Sequence, residues 1–72
     1  MRIKANDYEV KDVLKIIREW TELTQEELGK CINLGEASVR AYEKGRQHCL
    51  FDTVMKIANI HDITVILEKN EK

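Results

Sequence analysis

The chain of 72 residues has no proline and only three glycines, Gly29, Gly35 and Gly45. With so few breakers, no linker, repeat or low-complexity stretch divides it, and one domain over residues 1–72 is expected. Cysteine is scarce as well. Cys31 and Cys49 fit no CxxC spacing, and two thiols are too few for a disulfide framework. A zinc quartet of Cys31, His48, Cys49 and His61 would need adjacent ligands at His48 and Cys49, unlike the usual ligand spacing. No metal and no cofactor is therefore expected, and the thiols read as buried or half-buried packing groups. His61 reads the same way, as a half-buried histidine with one hydrogen bond rather than a pH sensor. No apolar run approaches the ~20 residues of a membrane span. Met1 to Asp7 lacks the apolar stretch of a signal peptide, so the cytoplasm is the expected location. An enzyme is not expected either: there is no paired-carboxylate, nucleophile or glycine-rich phosphate motif.

An excess of either charge sign is also missing. Twelve Lys and Arg stand against thirteen Asp and Glu, giving a net charge of −1 and a pI near 6.1. A small domain that coats phosphates usually carries a basic excess, so this arithmetic argues at first against nucleic acid. At 43% hydrophobic and 35% charged the chain is nonetheless globular. A core this small gains from the surface that a partner subunit would bury.

What is present is helical periodicity. Val10, Val13, Leu14, Ile17 and Trp20 recur at three- and four-residue steps on one helix face, with Asp7 as N-cap and Glu9 in the first turn. Thr24 caps a second helix, and Glu27 three residues on completes a capping box. Leu28 and Ile32 point inward before Asn33 ends the helix in the left-handed region. A third helix runs from Glu36 with Val39 and Tyr42 inward and stops at Gly45. A fourth runs from Phe51 or Asp52 to Ile60 and buries Val54, Ile57 and Ala58. Trp20 and Tyr42 sit at core spacing and read as packing residues, not as stacking platforms for bases. Residues 63–69 then change character: Ile63-Thr64-Val65-Ile66-Leu67 is a continuous β-branched run that suits a strand, with Met1 to Ala5 as a candidate partner. A two-stranded ribbon needs cover, which an intersubunit sheet would supply.

Leu23-Thr24-Gln25-Glu26-Glu27-Leu28-Gly29 followed by Ser38-Val39-Arg40-Ala41-Tyr42-Glu43-Lys44-Gly45 resembles the Cro/C1-type helix-turn-helix family, over roughly Val10 to Ile60. The fold this implies is mainly α, a four- or five-helix domain with the helix-turn-helix at about residues 24–45. A short C-terminal strand would pair with the N-terminal segment or across a dimer. Gly29 occupies the close approach between the two helices, where the family more often has Ala. Arg18 and Glu43 resemble the family's buried ion pair. Cys49 and Leu50 stand where the family has a proline and a capping serine, and His61 where it has an aliphatic residue. The tail strand replaces a frequent fifth helix.

By the same resemblance the third helix reads base edges in the major groove. Its outward residues are Glu36, Ala37, Arg40 and Ala41, with Ser38 at the margin. Arg40 suits guanine, and the two alanines suit thymine methyls. Glu36 has two readings, acceptor from cytosine or favourable charge at a helix start. Phosphate contacts fall to Thr24 and Gln25 at the start of the second helix, and to Lys44, Arg46 and Gln47 past the third. The charge objection then weakens. Between Ser38 and His48 the only acid is Glu43, paired with Arg18, while Glu19, Glu22, Glu26, Glu27, Asp62, Glu68 and Glu71 lie elsewhere.

The expected function is a sequence-specific regulator of double-stranded DNA, a repressor binding a palindromic operator as a homodimer. Thr64, Val65, Ile66, Leu67, Glu68 and Lys69 are the candidate dimer contact; an intramolecular strand or a frayed terminus is the other reading of that segment. The alternative function is an antitoxin-like protein that binds a toxin partner and autoregulates its promoter.

Overall fold

The computed structural model describes residues 1–70, so Glu71 lies outside it. A short 3-10 turn at Ala5–Asp7 leads into α1 (Val10–Thr21), α2 (Gln25–Cys31), α3 (Glu36–Glu43) and α4 (Phe51–Ile60). The helix starts are set locally. The Thr24 hydroxyl accepts from the Glu27 N–H at 3.1 Å while the Thr24 N–H donates to Glu27 Oε1 at 2.9 Å, the expected capping box. At α1 the cap is Glu9, not Asp7. Asp12 offers its carboxylate to the Glu9 N–H at 3.3 Å, whereas Asp7 is taken up in the 3-10 turn.

All four helices end in one way. The residue after each last turn takes a left-handed conformation, at Glu22, Asn33, Gly45 and Asp62, with φ of 57°, 57°, 76° and 58°. The next N–H then reaches back five residues: Leu23 to the Arg18 carbonyl, Leu34 to Gly29, Arg46 to Ala41 and Ile63 to Ala58. These are Schellman closures, which satisfy carbonyls the helix leaves open. Asn33 and Gly45 are natural occupants; Glu22 carries a Cβ penalty of roughly 1–2 kcal/mol. Glycine there would relieve that strain against ~0.5–1 kcal/mol of extra unfolded-state entropy. Glu22→Gly is thus expected to stabilise by about 0.5–1 kcal/mol. A urea midpoint below wild type would show that the Glu22 side chain contributes more than its strain costs.

The core forms where the four helices meet. Leu14 and Ile17 of α1, Leu28 of α2, Ile32, Val39 of α3, and Val54 and Ile57 of α4 are buried together. Tyr42, Val13, Leu23, Leu34 and the two free thiols, Cys31 and Cys49, pack half-buried against them. α2 packs chiefly on α3, while α1 packs on both α3 and α4. Val10, expected on the inward face, is 42% exposed. His61 is half-buried at the end of α4, and its buried Nε2 has no hydrogen-bond partner among the described residues.

The expected tail strand does not form: no strand occurs among the described residues. β-branched propensity describes a fit to a pleated neighbour, and one copy of the chain provides no such neighbour. Residues 1–4 form no strand either, and Ala5 begins the 3-10 turn. The tail instead leaves the Asp62 turn with Ile66 65% and Leu67 92% exposed. No helix of the described residues is long and apolar enough to cross a membrane.

Candidate nucleic-acid interface

The interface is built around α3. Val39, fully buried, and Tyr42 anchor its inner face, which turns Glu36, Ala37 and Arg40 outward as exposed residues. Ser38 and Ala41 lie half-buried at the margins of that face. Lys44, Arg46 and Gln47 follow as exposed residues around the Gly45 turn. The sequence-derived base-reading and phosphate residues of this segment thus share one continuous surface.

Two ion pairs order it. Arg18 of α1 reaches across to the last residue of α3, donating from Nε to Glu43 Oε2 at 2.6 Å and from Nη2 to Glu43 Oε1 at 3.0 Å. Its Nη1 donates to the Leu23 carbonyl at 3.1 Å, so one guanidinium fixes α1, the turn before α2 and the end of α3. The hydrogen bonds to Glu43 hold the Arg18 pKa above its ordinary value. Arg18 and Glu43 are therefore paired, in a partly buried position.

The second pair was not foreseen. Arg40 Nη2 donates to Glu36 Oε1 at 2.7 Å along the outward face of α3. The i,i+4 spacing was the available signal, because residues four apart are neighbours on a helix surface. Arg40 therefore stands oriented by a carboxylate, and the face carries less free positive charge than a count of its cations suggests.

The start of α2 is also occupied. Gln25, half-buried, donates from Nε2 to Glu43 Oε1 at 3.3 Å and so joins the Arg18 network. Thr24 is exposed with its hydroxyl oxygen engaged in the cap; the hydroxyl proton is left for another acceptor. The Thr24 N–H bond holds the Glu27 carboxyl below the usual glutamate range, which keeps the cap formed at neutral pH. Burial pushes the Cys49 thiol up, which favours its neutral form. Among the described residues no three His, Cys, Asp or Glu side chains converge on a common point.

Two short helices in this register, with the second exposing a row of small and polar residues, are the geometry of a groove-reading unit. The helix-turn-helix family model matches residues 14–66. The chain belongs to the Cro/C1-type helix-turn-helix family. It is accordingly a DNA-binding transcription regulator of that type, and α2 and α3 are its helix-turn-helix. No curated protein matches the chain at a significant level.

Proposed function

We propose that this regulator is a cytoplasmic repressor that reads a palindromic operator as a homodimer. Glu36, Ala37, Ser38, Arg40 and Ala41 face base edges. Thr24, Gln25, Lys44, Arg46 and Gln47 hold the flanking phosphates. Two copies of α3 would enter successive major grooves about 34 Å apart, and occupancy would block polymerase.

One observation carries the reading: the outward face of α3 combines small side chains with an arginine already oriented by Glu36 at 2.7 Å. Small residues allow close approach, and a held guanidinium loses less freedom when it takes guanine O6 and N7. The dimer is supported by the tail. Thr64, Val65, Ile66, Leu67, Glu68 and Lys69 have no strand partner among the described residues, and their apolar members border an open groove of about 1180 Å³ against α1 and α4. Pairing with a second tail would satisfy their backbone groups and cover that groove.

The test is a binding comparison at fixed salt. Arg40→Ala is expected to reduce the preference for a selected operator over scrambled duplex by about 1–3 kcal/mol. Lys44→Ala should weaken both duplexes alike and lower the salt slope by about one. An Arg40→Ala protein that keeps the wild-type preference would remove Arg40 as the reading residue. A monomeric mass in solution at operator-saturating concentration would remove the dimer.

A further inference from the structure

The N-terminal turn of α1 reaches the far end of α3. Lys11 lies along the Gly45 turn: a Cβ on Gly45 would stand 3.3 Å from Lys11 Cδ and 3.4 Å from its Nζ. The same ammonium sits 3.3 Å from Glu9 Oε2, with the two side chains 40% and 73% exposed. Lys11, Glu9, Gln47 and His48 line an open concavity of about 340 Å³ beside the turn. Gly45 is flanked by Lys44 and Arg46, so α1 adds a cation to the pair carried by the turn itself. The turn's own amides are engaged, Gly45 N–H on the Tyr42 carbonyl at 3.1 Å and Arg46 and Gln47 N–H on Ala41 at 2.9 and 3.4 Å. An anion at this place is therefore held mainly by side chains.

We propose that Lys11 is a contact to a DNA backbone phosphate, with Glu9 as the internal counterion that the phosphate displaces. The assignment rests on the placement of α3 and its turn against DNA made above. Lysine suits the role as a point charge with three donors on a flexible stem. The Glu9 pair is exposed and correspondingly weak, so exchange for a phosphate is easy. Releasing one condensed counterion per neutralised phosphate makes the contact visible in the salt dependence of binding.

The experiment measures affinity across a salt series for wild type, Lys11→Ala, Lys11→Arg, Glu9→Gln and Arg46→Ala. The probes are a short mixed-sequence duplex and a duplex that the protein selects from a random library. Lys11→Ala is expected to weaken both by a similar factor of several-fold and to lower the slope of log K against log salt by about one. Lys11→Arg should keep the slope, and Glu9→Gln should strengthen binding to both duplexes. If Arg46→Ala lowers the slope and Lys11→Ala does not, Lys11 is no phosphate contact, whereas the DNA placement of the turn stands. A loss of affinity with unchanged slope also overturns the assignment, since it marks a residue that only props the Gly45 turn. Wild-type protein that binds neither duplex removes the assignment together with the reading beneath it.

Discussion

Arg18→Ala is expected to lower the unfolding free energy by about 3 kcal/mol. The reason lies with the partner left behind. The Glu43 side chain is 5% exposed and that of Arg18 20%, so the carboxylate depends on the guanidinium far more than on water. Without Arg18, Glu43 keeps only the Gln25 amide at 3.3 Å. It must then draw water into the α1–α3 contact, which costs stability. The Leu23 carbonyl loses its donor in the same step. Arg18→Lys should recover little, because an ammonium cannot bridge both carboxylate oxygens. Glu43→Ala should cost less than Arg18→Ala, since Arg18 can turn toward solvent while Glu43 cannot. Replacing both with apolar residues of similar volume should cost less than the sum of the single changes. A domain of this size has roughly 4–11 kcal/mol to lose in total, so urea unfolding will register the change clearly. A loss below 1 kcal/mol would mean that the pair is effectively solvated.

The features legible in the sequence are those written within a few residues. The Thr24–Glu27 box, the left-handed turn at Asn33 and the stop at Gly45 all depend on local backbone geometry, and each stands where its residues imply. Arg18 and Glu43 are 25 positions apart and were legible only through the family resemblance. The Glu22 turn went unread because glutamate is no signal for the left-handed region; the Asp62 turn went unread although aspartate tolerates that region. Both are closed by the backbone bonds of Leu23 to Arg18 and Ile63 to Ala58. The tail failed for a different reason. Its β-branched run meets no pleated neighbour among the described residues, so the propensity finds nothing to pair with. At the interface the outward residues of α3 were legible from which residues point inward. Their mutual engagement was not: Glu36 on Arg40 follows from spacing, but Gln25 on Glu43 requires the α2–α3 packing, which no local pattern encodes.

Gly29→Ala is expected to destabilise the protein by about 1–2 kcal/mol, although alanine is the better helix former. In an exposed helix interior the exchange would gain up to ~1 kcal/mol. Gly29 is instead fully enclosed, and a Cβ placed on it would overlap the Leu34 carbonyl. That oxygen belongs to the backbone just past the Asn33 turn. The turn is fixed by the Leu34 and Ile32 N–H bonds to the Gly29 carbonyl at 2.8 and 3.1 Å. Relief therefore means lengthening these bonds or shifting α3 away from α2, an overpacking cost of about 1–3 kcal/mol that exceeds the propensity gain. Because the same turn sets the angle at which α3 is presented, the variant should also lose DNA affinity, at salt slopes close to wild type since no cation is removed. Thermal unfolding should show a midpoint several degrees lower, at roughly 4–8 °C per kcal/mol for a domain of this length. A Gly29→Ala protein as stable as wild type, with unaltered affinity, would show that the turn opens without cost and that glycine is not required at this crossing.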